Sequence, residues 1–164
     1  MDTLAPADLY EHDFYAWTQD QAARVRALGA RNDGLDVENV AEEIESLGKS
    51  QRSAVRNLLF QLITHLLKLR FHPDQRSRKH WRGEVMNFRQ QLRREFKDSP
   101  SLRARRHEIA TEAWEDVADD FPRRLEADDF DPNPAILALS GAERRPFDLD
   151  TEVLNQDWFP DAPT

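Results

Sequence analysis

The stretch "EEIESLGKSQRSAVRNLLFQLITHLLKL" (42–69) decides how this chain folds. Its apolar residues recur every three or four positions, the period of a helix that buries one face. Up to Leu47 the apolar set is one arc, formed by Val37, Val40, Ala41, Ile44 and Leu47, which is expected to face the core. From Leu58 to Leu69 the apolar residues nearly surround the helix, and such a segment belongs at the centre of a bundle. Between the two lie Gly48, a helix stop, and Ser50, a helix start. Read this way, 36–48 and 51–71 are two helices joined by a link of two or three residues, hence antiparallel neighbours pivoting at Lys49. The pivot sets Glu45 level with Arg52 and Glu42 level with Arg56, an ion-pair ladder along the hairpin edge. Exposed pairs of that kind contribute only about 0.2–1 kcal/mol each and serve pairing specificity more than stability.

The same periodicity extends in both directions. A first helix from Pro6 or Asp8 to Leu28 carries Tyr10, Phe14, Trp17, Val25 and Leu28, and "GARNDG" (29–34) turns the chain toward an Asp36 N-cap. Beyond Pro73, Ser77 opens a fourth helix with a narrow stripe of Trp81, Val85, Phe88, Leu92 and Phe96. "DSPS" (98–101) stops it and starts a fifth, with Ser99 as N-cap and Pro100 at the first helical position. The fifth helix buries Ile109, Ala113, Trp114 and Val117 and ends before Pro122. A short helix is expected at 134–140, capped by Asn133 and closed by Gly141. The reading is an all-α antiparallel bundle of four to five helices over residues 1–125. An acidic, Pro-rich segment over 126–164, largely irregular, packs on the bundle or on a partner subunit. Leu149, Val153, Leu154, Trp158 and Phe159 make that segment too apolar for a free tail.

Charge is distributed in blocks. Residues 1–48 hold three Arg against eleven Asp and Glu, 49–108 hold sixteen Lys and Arg against five acids, and 109–164 hold four Arg against fifteen acids. A basic middle between acidic flanks favours neutralisation within the fold over a nucleic-acid face. The chain has no Cys, which excludes disulfides and thiolate metal sites. Residues 1–30 carry no apolar leader, and "LLFQLITHLLKL" (58–69) is too short to span a bilayer, so a cytoplasmic protein without membrane contact is expected.

Four stretches, "YEHDFYAWTQDQA" (10–22), "LDVENVAEEIESLGKSQRSAV" (35–55), "THLLKL" (64–69) and "SRKHWRGEVMNFRQQLRREFKDSPSL" (77–102), together resemble a bacterial family known as domain of unknown function 29. The resemblance implies a small all-helical bacterial protein. It implies no reaction and no catalytic residue.

Chemistry-bearing residues give three readings. Glu38, Glu42 and His65 would supply a carboxylate–imidazole metal or acid–base site if the hairpin brought them together. No Glu-x-x-His or His-Glu-x-x-His spacing supports it. Lys79, Arg82, Arg89, Arg93 and Lys97 cover the fourth helix and would track phosphates on a nucleic acid. Surplus apolar and aromatic surface points instead to a non-enzymatic interaction or assembly protein, bound to a protein partner or to itself. This third reading is preferred, and it needs no cofactor.

Overall fold

A computed structural model describes residues 5–29, 34–139 and 145–163. Every regular element among them is helical, as expected, and four helices are long. In chain order they are α1 (Pro6–His12), α2 (Phe14–Leu28), α3 (Val37–Phe71), α4 (Arg78–Asp98), α5 (Pro100–Ala104), α6 (Arg106–Ala127) and α7 (Pro134–Leu137), then a π-helical turn over Leu149–Val153. The 29–34 turn and the Gly141 stop fall on 30–33 and 140–144, outside the described residues. Gly29 and Gly34 both take positive φ, at 57° and 96°, where a side chain would be strained.

The hairpin does not form. Residues 37–71 are one helix of 35 residues, running through Gly48 and Ser50 without a break. Asp36 caps it as expected, its carboxylate accepting from the Asn39 amide at 3.2 Å. Glycine at 48 is there for space and not as a stop. A Cβ on Gly48 would overlap the Thr18 hydroxyl and sit 3.3 Å from Thr18 Cβ, so α2 lies against the bare α3 backbone. Ala41, Gly48 and Val55, at a spacing of seven, form a buried line on α3, and α2 meets it at Gly48. The arc expected in the core is turned partly outward, leaving Val40 and Leu47 exposed.

Contacts gather the chain into two compact units, each built from two separate stretches: Met1–Val55 with Arg93–Arg106, and Arg56–Leu92 with His107–Thr164. In the first unit the expected single helix over 6–28 is divided at Asp13, which leaves helical geometry (φ −156°) to cap α2. Its carboxylate accepts from the Ala16 amide at 3.0 Å and from the Ser101 amide and hydroxyl, both at 2.7 Å. Ser99, expected to cap the next helix, makes no such bond to α5. Its hydroxyl accepts from the Tyr15 amide at 3.0 Å, one of the donors that the start of α2 leaves unpaired, and donates to Gln51 at 2.9 Å. Glu95 accepts from Gln51 in turn, at 3.2 Å.

The second unit is the apolar one. Leu59, Leu62, Ile63, Leu66, Leu67 and Leu69 of α3 are fully buried, with Trp81, Val85 and Leu92 of α4 and Ile109, Trp114 and Val117 of α6 also in its core. α6 does not end at Pro122; it continues to Ala127 with the proline inside. A proline in a helix interior costs about 3 kcal/mol. Burial of Phe121 on one side of it and Leu125 on the other offsets that cost, each contributing about 1.5–3 kcal/mol. Asn133 caps α7, accepting from the Ile136 amide at 3.0 Å.

Two glycines separate helix propensity from packing. Gly83 has nothing within 4 Å of a Cβ, so Gly83→Ala gains about 1 kcal/mol of propensity and raises the thermal midpoint by about 2–4 °C. Gly48→Ala gains the same propensity but drives α2 off α3, and its midpoint falls. Thr64 Oγ1 is buried without a hydrogen-bond partner, so Thr64→Val stabilises by about 1 kcal/mol in denaturant titrations.

Candidate interaction site

The carboxylates of α3 and His65 are not brought together. Glu38 and Glu42 belong to the first unit and His65 to the second, and the chain reversal that would have joined them is absent. Arg26 of α2 holds both Glu38 and Glu45, at 3.1 Å each, and Lys49 approaches Glu45 at 3.5 Å. The hydrogen bond from Arg26 keeps the Glu45 carboxyl below its ordinary pKa. Glu45 thus has α2 as its neighbour where Arg52 was expected. Arg56 pairs with Asp116 at 2.5 Å and approaches Glu112 at 3.9 Å, in place of Glu42. Among the described residues no group of three or more His, Asp or Glu side chains is placed to hold a metal ion.

His65 donates from Nδ1 to the Gln61 carbonyl at 2.7 Å, since a carbonyl can only accept, and its ring lies 5.3 Å from that of Phe88. Burial pushes its pKa below 6.5, opposed by the Gln61 bond and reinforced by the Lys68 charge. His72, which the sequence reading passed over, is buried between Trp81 and Phe130, with ring centroids at 4.9 and 4.6 Å. Its Nδ1 accepts from the Asp74 amide at 3.1 Å, leaving Nε2 to face the Asp128 carboxylate at 3.5 Å. Only its position beside Pro73 was visible in the sequence, and that signals a turn and no more.

The basic helix divides. Lys79, Arg93 and Lys97 are exposed. Arg89 is not a surface residue at all: it is 1% exposed, and its guanidinium donates to three main-chain carbonyls. The distances are 2.8 Å to Val153, 2.9 Å to Glu152 and 2.9 Å to Trp158. Burial lowers its pKa to about 10, with Asp157 opposing the shift, so it stays charged at neutral pH. Phe159 lies under Arg82 at 3.8 Å and near Arg89 at 5.2 Å, a cation–π contact from each. Trp158 meets Phe147 edge-on at 5.3 Å, and Phe147 meets Trp114 at 6.2 Å. Two of the five candidate phosphate ligands therefore hold the chain's own C-terminal segment. The signal was present in the sequence, because Arg89 falls in register with Val85, Leu92 and Phe96 on the buried stripe.

The first unit leaves several large apolar side chains uncovered. Leu47 is 52% exposed, Leu28 47%, Leu35 43% and Val40 37%. Val37, Val40, Ile44 and Leu47 follow a three–four–three spacing on α3, the pattern of a helix seam that meets another helix. Asp36 and Glu43 border that seam.

A family model described as domain of unknown function DUF29 matches residues 9–159. No curated protein matches the chain. Among solved structures, an alpha-helical protein of unknown function from Rhodospirillum rubrum is similar, with a TM-score of 0.71 and 24% identity. The match covers 96% of this chain and 93% of that one, and at such identity it speaks for the fold alone. No helix among the described residues is long and apolar enough to cross a membrane.

The lowered His65 pKa has a sign that can be tested. The folded state holds the ring neutral while the unfolded chain takes up a proton near pH 6.5, so this contribution is complete above that pH. It is lost as the pH falls through the folded value. Stability measured by urea unfolding is expected to drop between neutral pH and pH 5, and His65→Phe flattens that part of the profile.

Proposed function

The chain belongs to the DUF29 family, and from that premise we propose that it is a non-enzymatic interaction protein, self-associating through the exposed seam of α3. The observation that carries this reading is the exposure of Val40 and Leu47 one heptad apart on a helix, with Leu28 and Leu35 also uncovered. An apolar row of this kind is stable in water when a second helix covers it. The acidic border gives the association a characteristic salt response. Two copies bring Asp36 and Glu43 against like charge, so added salt strengthens the pairing by screening. A partner with a basic amphipathic helix would bind less tightly as salt rises, and this distinguishes the two cases.

Leu47→Glu places a charge in the seam of a residue already half in solvent, so the fold persists while association weakens by about tenfold or more. Sedimentation or light scattering over a concentration and salt series measures it. A wild-type chain that stays monomeric throughout removes the reading.

A further inference from the structure

We propose that the surface of the first unit over residues 93–105, the end of α4 and all of α5, binds the phosphate backbone of duplex nucleic acid without reading its sequence. The stretch presents Arg93, Arg94, Lys97, Arg103 and Arg105, all exposed. Arg93, Arg94 and Lys97 stand at i, i+1 and i+4 of α4, so they point out on one side of the helix. Of the two acids in the stretch, Glu95 is turned to Gln51 at 3.2 Å, which leaves Asp98 as its one exposed carboxylate.

These cations differ from the others in what answers them. Asp20 holds Arg24, Glu45 holds Arg26 and Lys49, Asp116 holds Arg56 and Asp120 holds Arg124, while carbonyls hold Arg89. Among the described residues none of the five pairs with a carboxylate, and the Tyr15 ring 5.8 Å from Arg105 leaves its charge whole. Neutralisation of the basic middle by the acidic flanks thus reaches Arg56 and stops short of 93–105. Helix dipoles account for Lys97 and Arg103, each in a last turn, and not for Arg93 or Arg94.

The same residues select the partner. Four of the five are arginines, whose planar fork fits two oxygens of one phosphate. No large apolar side chain is exposed over 93–105, so the tract has nothing to sink into a lipid surface or to centre a protein interface on. Its one aromatic ring, Phe96, is buried and offers no platform for unpaired bases, which favours a duplex over a single strand. No Asn or Gln accompanies the cations, so adenine edges go unread. Salt near 0.1 M confines each charge to about 10 Å, so the tract, and not the chain total of -8, decides what meets it.

Anisotropy of a short labelled duplex of mixed sequence, titrated with the full chain, tests this. With five phosphates engaged, affinity is expected to fall about five-hundredfold between 50 and 200 mM salt. Arg93→Gln with Lys97→Gln lowers the slope of log affinity against log salt by about two and weakens binding about tenfold or more. Arg94→Gln with Arg103→Gln does the same from a second pair of exposed positions. Arg123→Gln with Arg145→Gln removes as much charge from exposed sites of the second unit and leaves affinity within about twofold. No duplex binding at 50 mM salt overturns the proposal, as does an equal loss in the Arg123 and Arg145 control. Poly-glutamate that binds as tightly as the duplex and responds to the same variants overturns it too, assigning the tract to an acidic protein.

Discussion

Because Gly48 carries no Cβ, α2 can set Thr18 directly against the α3 backbone, and the first unit is organised around that approach. Ala41 and Val55, one heptad to either side, are buried on the same line of α3. Val40 and Leu47 are rotated off that line and left to solvent. Packing and exposure on α3 are thus two results of one constraint. The same closeness brings Arg26 within reach of Glu38 and Glu45, which turns a stripe of carboxylates into ion pairs.

Both units solve the problem of unpaired backbone groups with side chains from far along the chain. The Tyr15 amide at the start of α2 is paired by Ser99, 84 residues on. Carbonyls of the C-terminal segment are paired by Arg89, 63 to 69 residues before them. Leaving such groups buried and unpaired costs about 1–3 kcal/mol each, so these bonds act as conditions on the fold. Ser99 and Arg89 each have a purely local reading as well, a helix cap and a phosphate ligand, and in each case the long-range role displaced it.

Helical class, the central apolar stretch of α3, the buried stripe of α4 and the Asp36 and Asn133 caps were all legible, because each depends on residues within a few turns of one another. The hairpin was misread for a physical reason. Glycine ends helices when the backbone turns left-handed, but it also serves where another helix must come close, and one sequence cannot tell these apart. Pro122 failed as a stop because Phe121 and Leu125 pack on either side of it. The ion-pair ladder depended on the hairpin and fell with it. Arg89 was marked by its register with the apolar stripe, but the carbonyls that allow its burial lie more than sixty residues away, where no local pattern points to them.

The Arg89 clamp sets an order on the protein's assembly in the cell. A guanidinium made early in synthesis must wait for carbonyl partners at 152, 153 and 158, more than sixty residues later in translation. Until that stretch leaves the ribosome, the arginine on the core stripe of α4 has only water as acceptor and cannot be buried without cost. The second unit is then held short of its final packing. The carbonyls at 152 and 153 emerge first and the one at 158 last, so the clamp closes in that order and a chain trimmed at Trp158 would keep two of its three bonds.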